Sequence, residues 1–300
     1  MVFSCYKGNF LTTPKKNSNS MVKKVLLASA LCIVVLTSMI ASRTKGPAIA
    51  ISNKNAGLGP VPGNSNFVNY WIDSLYGAMQ LEDKGLSRSI FFAACKGYEY
   101  LLSQNALIKQ GLLTICDYSQ RSDKKRLYVL DIGRAKVLFN TYVSHGRNSG
   151  DDYATSFSNS TDSHKSCLGF MRTAETYKGD NGYSLRLDGM EDGFNDNVRS
   201  RAIVMHGSNY VNASRASKGA VMGRSYGCPA VPAAEAKKII NCIKNGSCLF
   251  NYYPDERYTE ASKILNADFI WPSVQASLLA TSHSSGDTLP GIIIPNNPVN

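Results

Sequence analysis

The first fifty residues contain no acidic side chain, and that absence skews the charge of the whole chain. A formal net charge of +11 over 300 residues resembles the footprint of a nucleic-acid binder. Seven of the basic residues fall within residues 1–50, however, and the other 250 residues carry only +4. Those 250 residues also lack a Lys/Arg stripe interleaved with aromatics, so no nucleic-acid partner is expected. Neither a C-x-x-C pair nor an H-E-x-x-H helix is present. Without these zinc-holding spacings, no metal site is expected, and nothing calls for a cofactor. Internal repeats are missing. With 43% hydrophobic and 18% charged residues, the chain is neither disordered nor a multi-span membrane protein. Its length is enough to bury a substantial core.

One apolar run is present. Val25–Ala41 is uncharged, 17 residues long and preceded by Lys23-Lys24, and Ala48-Ile49-Ala50 has the small-x-small form of a cleavage site. The run is intermediate in length between a signal-peptide core and a full membrane span. Residues 1–50 are therefore read as a signal peptide or an N-terminal membrane anchor. The body of the chain is expected to be exported to the periplasm or cell envelope, with N-terminal membrane association if the leader is kept. In an oxidising compartment the cysteines become disulfide candidates. Cys242 and Cys248 flank an Asn-Gly turn and form the first candidate pair, and Cys95 with Cys116 forms the second. Connectivity does not follow from spacing alone.

Residues 51–66, rich in Gly, Pro, Asn and Ser, read as a linker. Residues 67–118 read as a helical segment packed on the following domain. Val68, Trp71, Ile72, Leu75 and Met79 share one helical face, and Ile90, Phe91, Ala94, Tyr98, Leu101 and Leu102 share another. The main domain is placed at 119–270. There, 126–132 and 136–143 form a hairpin about Gly133-Arg134, and 201–205 is a short strand ending at His206-Gly207. A loop at 208–227 follows, then a helix opened by Pro232 and closed by Gly246, and a last strand at 248–253. Residues 271–300, rich in Ser, Gly and Pro, are expected to be a flexible tail. The whole is mainly β with flanking helices, α+β overall.

The chemistry concentrates in His206-Gly207 and Ser225-Tyr226-Gly227-Cys228. A thiolate is a strong nucleophile, and a nearby imidazole or helix N-terminus lowers its pKa. His206 would take the Cys228 proton and return it to a leaving amine. Gly227 would clear space for a substrate carbonyl, with the Cys228 N–H serving an oxyanion. Ser225 is an orienting candidate through turn chemistry. Read without further context, a cysteine is as often a core residue and a histidine a satisfied polar group.

Read together, His206-Gly207, a loop and Ser225-Tyr226-Gly227-Cys228 resemble the signature of the murein L,D-transpeptidases with the YkuD-type catalytic domain. The run Gly223-Arg-Ser-Tyr-Gly-Cys-Pro-Ala-Val-Pro232 is similar to a branch ending Gly-Cys-Pro-Ala-Val-Pro. Upstream, Val143-Ser-His-Gly146, Ser163-His-Lys-Ser166 and Gly182–Gly189 are also similar to it, and the likeness spans roughly 120–253.

The resemblance implies a β-sandwich or barrel domain in which Cys228 acts as nucleophile and His206 as base. The implied substrates are peptidoglycan tetrapeptide stems, as both donor and acceptor, without a metal or cofactor. Gly207, His145 and His164 are implied as lining or orienting residues; for the two histidines a structural role, a hydrogen bond fixing a loop, is an equal reading, and neither is assigned a catalytic part. Two departures stand out. Ala230 occupies the place where the wider family often carries Arg, which leaves Arg224 as a candidate replacement, and the loop between His206 and Cys228 is long. Alternatives from other classes are an L,D-carboxypeptidase, a sortase-like transpeptidase needing a downstream Arg (Arg257), and a non-catalytic wall-binding protein.

Overall fold

The computed structural model describes residues 65–283. The expectations for residues 1–50, for most of the linker and for residues 284–300 lie outside the described residues. Helices α1 (Ser65–Ala78) and α2 (Arg88–Ser103) open the structure. Their buried faces are those set by the apolar spacing: Val68, Trp71, Ile72, Leu75 and Met79, then Ile90, Phe91, Ala94, Tyr98 and Leu101. Ser87 caps α2 by accepting the Ile90 N–H at 3.4 Å, which satisfies one of the helix's unpaired first-turn amides.

Eight strands follow: β1 (Leu112–Asp117), β2 (Leu127–Asp131), β3 (Lys136–Thr141), β4 (Gly169–Gly179), β5 (Gly182–Gly189), β6 (Val204–Ser208), β7 (Ala230–Pro232) and β8 (Cys248–Tyr252). They form one mixed sheet in the order β3-β2-β1-β8-β4-β5-β6-β7. The β2–β3 hairpin is antiparallel. The last strand, β8, inserts at the centre, parallel to β1 and antiparallel to β4. The inner strands β1, β2 and β8 are covered on both faces, which is why their sequences read as near-continuous apolar runs.

The two edges of the sheet are drawn together. Beyond β3, the Ser144 N–H donates to Ala230 O (2.8 Å), Gly146 bridges to Ser225, and the Arg147 N–H donates to Ser225 O (2.7 Å). This seam turns the sheet into a near-barrel. Its interior holds Val129, Met171, Leu187, Met205, Leu249 and Cys228, closed by Ile239, Ile240 and Ile243 of helix α4 (Ala233–Ile243). The opposite face packs Leu113, Ile115, Phe170 and Phe250 against α1 and α2. Successive β8 residues alternate between these two cores, with Cys248 and Phe250 in one and Leu249 in the other. Gly97 on α2 is dictated by this packing. A Cβ there would lie 2.0 Å from the Phe170 ring, which itself stacks on Phe250 at 4.0 Å.

Five expectations need correction. The segment 67–118, expected to be helical, ends in strand β1, because residues 112–117 pair with β2 and β8. The strand expected at 201–205 starts only at Val204 and runs through His206 to Ser208. The tail expected from residue 271 onward instead begins, after the short helix α5 (Glu256–Ala261), with helix α6 (Pro272–His283), anchored because Trp271 and Val274 are buried. Trp271 meets Trp71 edge-on at 6.1 Å. The expected disulfides are absent, and Cys95, Cys116, Cys242 and Cys248 are free. Cys95 lies in the helix-side core and Cys116 in the barrel interior, so the sheet separates them. Cys248 likewise faces the helix-side core, whereas Cys242 packs against the interior one. Finally, the expected 208–227 loop contains a short helix, α3 (Ala213–Ser217), capped by the Asn212 side chain.

Candidate active site

Cys228 lies in the turn that enters β7. Ser225 builds this turn: its Oγ donates to Cys228 O (2.7 Å) and accepts the Gly227 N–H (3.2 Å). One hydroxyl thus ties both limbs of the turn. Gly227 has φ +115°, and a Cβ there would lie 2.6 Å from Lys165 O and 2.8 Å from Ile203 Cδ1. The close approach that requires glycine is therefore to the chain's own backbone.

Cys228 is 8% exposed. Its Sγ receives the Val204 N–H at 3.4 Å and lies 3.8 Å from Ala202 O. Burial pushes the Cys228 pKa above the usual thiol value, and the Val204 N–H and the nearby Arg201 charge pull against it. The helix N-terminus expected to lower this pKa is set back, because β7 separates Cys228 from α4. Arg201 was not singled out from the sequence. Its guanidinium donates to Ser158 O (2.7 Å), Ser163 Oγ (3.1 Å) and Lys165 O (2.7 Å), fixing the loop against which Gly227 rests.

His206 stands in mid-strand on β6, opposite Ala230 of β7 and Ser184 of β5. It is two residues beyond Val204, so it shares that residue's face at about 7 Å along the strand. It is 5% exposed, and its Nδ1 lies 3.0 Å from Gly207 O. A carbonyl only accepts, so Nδ1 carries the proton and Nε2 keeps its lone pair. Burial lowers the pKa of His206, which favours the neutral ring. Gly207 serves packing: a Cβ there would lie 2.8 Å from Ala236 Cβ and 3.1 Å from Ala233 Cα, so its absence lets α4 approach β6.

His145 is fully buried, with both ring nitrogens engaged. Arg126 Nη2 donates to Nδ1 (2.7 Å), and Nε2–H donates to Gly150 O (3.0 Å). Burial and the adjacent guanidinium lower its pKa to about 4. It holds the loop after β3 in place and does not face solvent. His164, with φ +54°, stacks on Tyr226 at 4.3 Å, and the Arg147 guanidinium lies 5.1 Å from the centre of the same ring. Neither Arg147, which follows the Val143–Gly146 segment, nor Tyr226, which lies inside the Ser225–Cys228 motif, was given a role from the sequence. Arg224 is exposed and makes no ion pair among the described residues. Cys167 is buried in the barrel interior, where burial pushes its thiol up to about 12. Arg257 lies over the Phe194 ring, 5.7 Å from its centre. No group of three or more His, Cys, Asp or Glu side chains able to hold a metal occurs among the described residues.

The near-barrel thus sets the buried Cys228 thiol against Val204 of β6, with His206 two residues farther along that strand. The chain belongs to the L,D-transpeptidase catalytic domain family, whose model matches residues 82–252. Among solved structures, it matches an L,D-transpeptidase from Mycobacterium smegmatis at 11% identity and a TM-score of 0.31, covering 48% of this chain and 59% of that one. It also matches L,D-transpeptidase 1 of Mycobacterium tuberculosis at 11% identity and a TM-score of 0.28, covering 48% and 62%. The chain thus spans about three-fifths of the length of these structures. No curated protein matches it.

Proposed function

We propose that the protein is an exported cysteine L,D-transpeptidase acting on peptidoglycan tetrapeptide stems, with Cys228 as nucleophile and His206 as general base. The reading is carried by the β6–β7 neighbourhood: Cys228 Sγ rests on the Val204 N–H, and His206 follows two residues along the same strand. Burial disfavours both the thiolate and the imidazolium, so the resting pair is thiol and neutral imidazole. Proton transfer to His206 Nε2 accompanies attack of sulfur on the carbonyl carbon of the diamino residue. Of the two amides at the turn, the Gly227 N–H is committed to Ser225, which leaves the Cys228 N–H for the oxyanion. The C–N bond to the terminal alanine breaks as His206 returns the proton to the departing amine, leaving a thioester. An acceptor stem's amine then attacks the thioester, forming the new amide and restoring the thiol. If water attacks instead, the outcome is carboxypeptidase activity. The apolar run at 25–41 after Lys23-Lys24 supports export to the cell envelope, with membrane association if the leader stays attached.

The test is to incubate the full-length protein and Cys228→Ala with a disaccharide-tetrapeptide and to follow products by mass spectrometry. Alanine loss with cross-linked dimers, both absent from Cys228→Ala, is the expected result. Alanine loss without dimers assigns the carboxypeptidase reaction, and an active, folded Cys228→Ala overturns the nucleophile.

A further inference from the structure

Tyr226, in the thiol turn itself, is 61% exposed, yet it is held on two sides. The His164 ring stacks against it at 25° to its plane, and the Arg147 guanidinium lies close to the ring. The three residues come from three loops that are cross-tied by backbone. The Arg147 N–H donates to Ser225 O (2.7 Å), the Asn148 N–H donates to His164 O (3.2 Å), and Asn148 Nδ2 donates to Ser163 O (2.9 Å). The left-handed φ of +54° at His164 is a further cost borne by this arrangement.

Arg147 differs from Arg126 and Arg201 in how its guanidinium is used, and from the exposed Arg224, which likewise has no ion pair among the described residues, in lying against an aromatic ring. Arg126 and Arg201 spend their guanidinium N–H groups on carbonyls, a hydroxyl and a ring nitrogen. The arginines in ion pairs among the described residues are 88, 121, 134, 172, 186 and 199. Arg147 has no acidic partner among the described residues. A guanidinium lying against an aromatic ring keeps its planar N–H edge free, and that edge matches a carboxylate in bidentate fashion. Ala230, where the resemblance left a cation missing, is fully buried in an apolar cluster with Val211 and Met222, so no charge can be housed there.

We propose that Arg147, braced on Tyr226 and His164, is the carboxylate-recognition point of the donor subsite. The proposal rests on the transpeptidase reading for the identity of the peptide. Tyr226 is two residues from Cys228, so their Cα atoms are at most about 7 Å apart. One peptide residue also spans about 3.5 Å, which places the recognised carboxylate within a residue or two of the scissile bond. Two groups of the donor qualify: the side-chain carboxylate of the diamino residue and the C-terminal carboxylate of the departing alanine.

The experiment measures binding of a disaccharide-tetrapeptide to full-length Cys228→Ala by calorimetry, beside two forms of the ligand amidated at one or the other carboxylate. Amidation at the recognised position should weaken binding about tenfold or more, the scale of one lost charged hydrogen bond. Adding Arg147→Ala should weaken the free-acid ligand by a similar factor and abolish its advantage over that amide, whereas Arg147→Lys should restore part of it. Arg147 is exposed, so unchanged thermal unfolding serves as the folding control. Equal binding of all three ligands, or an acid preference that survives Arg147→Ala, overturns the proposal. Turnover by the Cys228 protein separates the two readings. Arg147-dependent binding without alanine loss rejects the reaction and keeps the site, and alanine loss with Arg147-independent preference does the reverse. Absence of both binding and turnover rejects both.

Discussion

Replacing Glu99 by Gln should make the protein more stable at neutral and alkaline pH while giving no advantage in acid. Glu99 is fully buried on α2, its Oε2 accepts the Ser273 N–H at the start of α6 (2.9 Å), and its Oε1 has no partner among the described residues. Burial pushes its carboxyl from 4.5 up to about 7. A carboxyl whose folded pKa is raised adds most to stability below its unfolded pKa, and that contribution is lost as pH rises through the folded value. The shift corresponds to about 3 kcal/mol by the time the group is fully ionised. Gln keeps an acceptor for Ser273 but buries an amide nitrogen without a partner, at about 1 kcal/mol. The variant should therefore be slightly less stable than wild type near pH 4.5 and about 2 kcal/mol more stable near pH 8. Denaturant unfolding across that range, read by tryptophan fluorescence, checks this. Both tryptophans of the sequence, Trp71 and Trp271, sit in the layer that Glu99 joins, in edge-on contact. Parallel stability curves for variant and wild type across the range would refute the argument.

Gly227→Ala should destabilise by about 3 kcal/mol, combining positive-φ strain with a clash on Lys165 O, and should slow alkylation of Cys228; thermal melts and iodoacetamide labelling check this. His145→Ala leaves the fully buried Arg126 guanidinium one acceptor short and should cost about 2–3 kcal/mol in denaturant unfolding. Because burial lowers the His206 pKa, kcat/KM for the stem peptide should stay level as pH falls past 6.5 and decline only below it, as the base becomes protonated. An inflection above that value counts against His206 as a buried neutral base. Gly97→Ala must displace the Phe170 ring from Phe250, with an expected loss of about 1–3 kcal/mol, or about 2–4 °C of melting temperature per kcal/mol.

What could be read from the sequence was local. The faces of α1 and α2 followed from three- and four-residue spacing, and the β2–β3 hairpin from two β-rich runs about a short turn. Cys228 and His206 stood out because motif neighbours flanked each of them. Non-local pairing was not legible. Nothing in residues 248–253 indicated that β8 would sit at the centre of the sheet, and this placement separates the cysteines expected to pair. Composition misjudged the tail because its Ser and Pro residues suggested loose chain, whereas its one tryptophan decides its docking. Arg147 follows a recognised segment by one residue, but its role depends on Tyr226, almost eighty positions away. Gly227 was marked for clearance toward a substrate carbonyl, whereas the atom it makes room for is Lys165 O.

The seam between the two sheet edges also bears on when chemistry becomes available. Residues 144–147 and 225–230 are far apart in sequence, and such distant contacts are slow to form in folding. The turn that presents Cys228 hangs on this late contact, through Gly146, Arg147 and Ser225. A chain crossing a membrane unfolded would therefore carry ordinary thiols, with Cys228 no different from the rest. On the proposed function His206 could act on Cys228 only once the barrel closes, while burial in the closed barrel shields the thiol, so alkylation of position 228 followed during refolding should report when that seam forms.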